Sequence, residues 1–192
     1  MLEGGIPRGR IVMIVGAPGA GKTILCTQFL FNGIVKYDEN GVFVSLEERK
    51  THLYEAMSRF GWNLSQLEEA GKLSFVDASP IRRSSGEVKI GKYVLGKRDF
   101  SMLGLINTIE MAAESARAKR IVVDPLATLI FQYSGHYERR IAFLDLVESL
   151  TTTGATCLVT MEISSAGSQD VVEEEFLAPV SYTHLRAHET VL

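Results

Sequence analysis

Residues 10–23, RIVMIVGAPGAGKT, constrain the fold more than any other stretch. The run RIVMIV (10–15) is short, β-branched and continuously apolar, as expected of a strand covered on both faces; a strand with one wet face would alternate. It leads into GAPGAGKT (16–23), which fits GxxxxGK[ST], and then into a helix expected over 21–36 with apolar residues at Ile24, Leu25, Phe29, Leu30 and Ile34. Glycines in such a loop let backbone N–H groups curl around phosphate oxygens, and the helix N-terminus adds partial positive charge. In this pattern Lys22 reaches the β- and γ-phosphates of a nucleotide, and the Thr23 hydroxyl ligates Mg²⁺. Gly16, Ala17, Pro18, Gly19, Ala20, Gly21, Lys22, Thr23 and Ile24 are therefore the expected nucleotide-binding segment.

The rest of the chain alternates. Strands are expected at VFVSL (42–46), KLSFVDA (72–78), 120–124 and ATCLVTME (155–162), with helices over 51–60, 101–118 and 137–152. Alternation of this kind implies parallel crossovers and an α/β sheet with helices on both faces. Ligands of such sheets sit outside the carboxyl ends of the strands. Those ends carry the Gly16 loop, Glu47, Asp77, Asp124 and Glu162. Asp124 closes an apolar strand, the place of an acid that holds Mg²⁺, often through water; as an aspartate before proline it could instead begin a turn. In FVSLEERK (43–50), a carboxylate at the end of a neighbouring strand can hold a water in line with a γ-phosphate. Glu47 is the expected base and Glu48 its support, and strand alternation expects the two to point differently. The competing reading is a solvated strand end.

Composition narrows the classes. With 192 residues, 46% hydrophobic, 22% charged and a net charge of −3, the chain has one sizeable core and no bulk attraction for nucleic acid or anionic membrane. No apolar run approaches a membrane span and no signal peptide leads the chain, so a cytoplasmic α/β protein is expected. Cys26 and Cys157 both lie in apolar segments and read as reduced, buried thiols. Residues 82–98 carry six basic residues against one acid, and 163–175 four acids and no base. The first is a solvated insertion or a partner surface; the second repels phosphates and speaks against DNA strand exchange.

GGIPRGRIVMIVGAPGAGKT, VFVSLEE, AKRIVVDPLATL, TCLVTME and EEEFLA occur in order, and together they resemble the KaiC-like ATPases of the RecA superfamily, including single-domain archaeal forms. The resemblance spans Leu2 to about Ala178. It implies a RecA-like core with strands in the order 73–76, 42–46, 120–124, 156–161, 11–15, catalytic roles for Glu47, Glu48 and Lys22, and a γ-phosphate-sensing role for Glu162. It also implies ATP and Mg²⁺ as cofactors, Thr23 and Asp124 as metal ligands, and assembly into homo-oligomeric rings, commonly hexamers. Rival readings are a recombinase-like DNA-dependent ATPase and a non-catalytic nucleotide-binding module.

The resemblance makes residues 1–179 a partial ATPase domain, incomplete at the C-terminus. The stretch VSYTHLRAHETVL (180–192) departs from the pattern, is similar to translated sequencing-adapter sequence, and reads as a non-native, structureless tail. On that reading residues 11–15 form an unpaired sheet edge, upstream residues are missing before Met1, and turnover by residues 1–192 is low. His184 and His188, four apart, are not taken as a metal pair.

Overall fold

The computed structural model describes residues 5–78, 88–90, 93–95, 102–130, 133, 135–162 and 181–184. The elements run β1 (Ile11–Gly16), α1 (Lys22–Tyr37), β2 (Gly41–Ser45), α2 (Lys50–Ser58), α3 (Leu64–Glu69), β3 (Leu73–Asp77), β4 (Val88–Ile90), β5 (Tyr93–Leu95), α4 (Met102–Ala116), β6 (Arg120–Asp124), α5 (Ala127–Ile130), α6 (His136–Thr152), β7 (Thr156–Glu162) and β8 (Ser181–His184). Six strands form one sheet in the order β3-β2-β6-β7-β1-β8, every neighbouring pair parallel. Five of them stand in the order implied by the family resemblance.

The sixth strand is a correction. Pattern and resemblance leave β1 at an unpaired edge beside a structureless tail, but Ser181–His184 runs parallel to β1, in register from Val12↔Ser181 to Val15↔His184. The physical reason is the edge itself: a strand as apolar as IVMIVG presents unmet backbone donors and acceptors that a β-prone segment such as SYTH satisfies. The hairpin β4–β5, antiparallel from Val88↔Leu95 to Ile90↔Tyr93, falls within the basic segment 82–98. The remainder of that segment and the acidic stretch 163–175 lie outside the described residues.

Strand periodicity divides the core in two. Met13, Val15, Val44, Ile121, Val123 and Val159 face α4 and α6, whereas Val12, Ile14, Phe43, Val122 and Leu158 face α1, α2 and α3. Both faces are buried, which is why the strands read as unbroken apolar runs rather than alternating ones. The same parity puts Ser45, Asp124, Thr160 and Glu162 on the face that α1 covers, each an even number of residues from a core member of that face. Cys26 and Cys157 are buried free thiols; burial pushes both up, Cys157 to about 12.

At the far end of the sheet, Arg120 locks α1 to β6. Its guanidinium donates to Glu39 Oε2 at 2.6 Å and to the Phe29 carbonyl at 2.8 Å, and lies 4.5 Å from the Phe29 ring. It crosses α1 at Gly33, where a Cβ would stand 2.4 Å from Arg120 Cδ. That glycine is required for space. Among the described residues no helix is long and apolar enough to cross a membrane.

Candidate functional site

The loop between β1 and α1 has the geometry its glycines permit. Gly19 and Gly21 take φ of 79° and 82°, and a Cβ on either would meet nothing within 4 Å, so conformation and not crowding demands glycine. Gly21 is the N-cap of α1, without a side-chain cap and with no acid in the first turn. The helix therefore presents uncapped N–H groups and its positive dipole end to the loop.

Lys22 is only 5% exposed. Its ammonium donates to the carbonyls of Gly16 at 3.0 Å and Ala17 at 2.9 Å, and stands 3.4 Å from Glu162 Oε1. The pairing follows from sheet register, because Gly16 lies directly opposite Glu162 across β1 and β7. Pro18 and Ala20 complete the turn, which is closed by the Ala20 N–H on the Ala17 carbonyl at 3.2 Å.

Asp124, at the end of β6, is 7% exposed and held from two sides. Thr23 Oγ1 donates to Oδ2 at 2.7 Å, and Thr160 Oγ1, from the neighbouring strand β7, donates to Oδ1. Burial raises the Asp124 carboxyl above its ordinary value, and Glu47 adds to this; the two threonine donors and Lys22 oppose it. The turn reading of Asp124 does not exhaust its role, since the carboxylate faces the loop.

Glu47 and Glu48 enter the same space. Alternation would have separated them, but the strand ends at Ser45 and the chain bends through 46–48. Ser45 Oγ donates to the Glu48 carbonyl at 2.6 Å and accepts the Glu48 N–H at 3.1 Å, closing a side-chain-stabilised turn. Leu46 N–H still reaches the Asp124 carbonyl at 2.8 Å, so this turn is pinned to β6. Glu47 Oε1 accepts from Thr128 Oγ1 on α5. Burial first, then the charge of Asp124, push Glu48 above its ordinary value, and His52 pulls it part of the way back.

These groups line one cleft of about 470 Å³, bounded by Gly19, Gly21, Lys22, Thr23, Ile24, Glu47, Glu48, Asp124, Pro125 and Glu162. That is ample for a triphosphate and its metal. Asp77 ends β3, on the far side of β2, and takes no part in lining it. Three residues that sequence reasoning missed hold the site in shape: Ser45, Thr128 and Thr160. Thr160 alone left a signal, a hydroxyl two residues before Glu162 beyond the apolar run CLV, and hence on the same face.

The donors fit Mg²⁺, a hard cation that takes oxygen ligands and few protein ones. Because Thr23 gives its proton to Asp124, its oxygen lone pairs remain for a cation, and Asp124 becomes an acceptor behind it. Among the described residues no group of three or more His, Cys, Asp or Glu converges on a metal position, so phosphate oxygens and water would complete the shell.

Known proteins give the same picture. The family described as "ATPase: KaiC" matches residues 1–180. The circadian clock oscillator protein KaiC of Synechococcus elongatus is 38% identical over 160 residues, 83% of this chain and 29% of that protein. A UPF0273 protein of Methanocaldococcus jannaschii is 37% identical over 164 residues, 85% of this chain and 66% of its own length. The crystal structure of a KaiC-like protein from Pyrococcus horikoshii superposes with a TM-score of 0.69 at 30% identity, covering 84% of this chain and 66% of that one. The chain thus spans from under a third to about two thirds of the length of these relatives. With the P-loop, the strand order and the family match in agreement, the chain belongs to the KaiC-like ATPases of the RecA-like fold.

Proposed function

We propose that this chain is the nucleotide-binding and hydrolysing part of a KaiC-like regulatory ATPase, taking Mg·ATP in the 16–23 loop and activating water with Glu47. The observation that carries this is the convergence of Lys22, the Thr23–Asp124 pair, Glu47, Glu48 and Glu162 on one cleft. Glu47 sharing that cleft with Lys22 and Asp124 is the arrangement that hydrolysis needs; on the opposite rim it could not act.

Loop N–H groups and the α1 N-terminus would cradle the β-phosphate, and Lys22 would leave its loop carbonyls for the β- and γ-oxygens. Mg²⁺, held by Thr23 with Asp124 behind it, would neutralise charge on those oxygens. Glu47 accepts a proton from the attacking water, whose oxygen bonds to the γ-phosphorus as the bond to ADP breaks. Glu48, held beside Glu47 by the turn that Ser45 closes, would support it in the cleft. Glu162, released by Lys22, would follow the γ-phosphate from beside the loop. In a homo-oligomeric ring a neighbour would add cationic groups to the same charge.

Calorimetric titration with ATP and Mg²⁺, paired with single-turnover hydrolysis, tests this. Lys22→Ala should weaken binding at least tenfold. Glu47→Gln should bind normally and hydrolyse about 10²-fold or more slowly, the usual range for a lost general base. Unchanged hydrolysis in Glu47→Gln would leave a binding module and no ATPase.

A further inference from the structure

The short helix α5 follows Asp124 by only two residues, and its place in the fold is tightly set. Leu126 and Leu129 are 0% and 1% exposed. The Leu126 N–H is bound to the Thr160 carbonyl at 2.8 Å, and Leu129 N–H to the Leu126 carbonyl at 3.0 Å. Between these anchors Thr128 is half-buried and donates its hydroxyl to Glu47 Oε1, which lines the cleft. Glu47 itself sits on a bend beyond the end of β2. Its backbone is fixed by the Ser45 turn, but its side chain has three rotatable bonds and needs a separate restraint.

We infer that Thr128 is a positioning residue for hydrolysis: its hydroxyl engages one oxygen of Glu47 and so turns the other toward a water in line with the terminal phosphoryl group. This rests on Glu47 being the base. The hydroxyl acts in two ways. A donor on Oε1 selects one rotamer from several, so the carboxylate is already aimed when nucleotide arrives. It also ties the base to the segment that carries Asp124, four residues earlier, so the water-activating and metal-holding carboxylates shift together rather than independently. No atom of Thr128 needs to touch the nucleotide.

The test uses the full chain in steady-state hydrolysis over a range of Mg·ATP concentrations. Thr128→Val keeps the side-chain shape and removes the donor. Expected is a fall in kcat of about tenfold, toward the hundredfold that small misplacements of reacting groups cost, with KM for ATP changed by less than about twofold. Thr128→Ser, which keeps the hydroxyl, should recover most of the rate. In a Glu47→Gln background, Thr128→Val should add no further loss. A merely structural threonine would give another pattern: KM and kcat moving together, no recovery by serine, and additive losses with Glu47→Gln. Any of those overturns the inference, as does an unchanged rate in Thr128→Val. The two ideas fail separately. Loss of hydrolysis in Glu47→Gln with none in Thr128→Val refutes the positioning role alone, whereas full hydrolysis in Glu47→Gln removes both.

Discussion

Thr160 gives the sharpest energetic prediction, because its side chain has no exposed surface and its hydroxyl is paired with a carboxylate. It is fully buried on β7, and its hydroxyl donates to Asp124 Oδ1. Thr160→Val replaces that hydroxyl with a methyl of similar size, so packing between β6 and β1 is conserved and the change is electrostatic. A hydrogen bond to a charged group contributes about 1.5–3 kcal/mol. Thr160→Val should therefore cost about 2 kcal/mol at pH 7. With a urea slope of about 2 kcal/mol/M, this moves the unfolding midpoint down by about 1 M. The penalty must also depend on pH. Removing a donor from the ionised carboxylate raises the folded-state pKa of Asp124, which burial has already lifted above the ordinary value. The mutant's deficit is thus complete above that raised pKa and shrinks as pH falls through it, where a protonated Asp124 no longer needs the donor. Urea titrations of both chains at pH 7 and at progressively lower pH decide the matter. A deficit of the same size at every pH would mean that Thr160→Val acts through packing and that the pairing with Asp124 is energetically idle.

Gly33→Ala should destabilise the chain by about 1–3 kcal/mol, as overpacking does, by driving a methyl into Arg120, which Glu39 and the Phe29 carbonyl hold in place; thermal unfolding should show it while ATP affinity at the distant cleft stays unchanged. Asp124→Asn should raise the unfolding midpoint at pH 7 and flatten its pH dependence. The native folded state binds this proton more tightly than the unfolded one, so its stability rises as pH falls through the raised pKa toward the ordinary 3.8. Mg²⁺-dependent ATP binding by Asp124→Asn, measured by calorimetry, should fall at the same time.

Local pattern and family resemblance together revealed the frame of the site. The β1–loop–α1 unit, the strand closed by Asp124 and the order of five strands were all legible, because a buried parallel sheet writes itself as apolar runs and a phosphate loop as fixed glycine spacing. What escaped was short or non-local. Helix α3 has six residues and owes its start to Asn63, whose side chain accepts the Gln66 N–H at 3.1 Å; a segment that brief is below the length at which helical periodicity registers. Thr128 and Thr160 act on partners 81 and 36 residues away, and no spacing rule links them. Glu47 and Glu48 stood out in the sequence as a pair, yet both line the cleft where alternation expects them to point differently, because Ser45 ends the strand one residue early. Strand β8 was missed for another reason: the stretch departs from the family pattern and reads as structureless on that ground, whereas pairing with β1 needs only backbone hydrogen-bonding capacity.

The ammonium of Lys22 already has three oxygen neighbours, one of them the Glu162 carboxylate. On the proposed reading an arriving polyphosphate would enter an exchange of partners, and its grip on the lysine would be the difference between two ion pairs. A ligand with too little terminal charge would then lose that contest to Glu162, and the cleft would be guarded from within by a lysine that is already engaged.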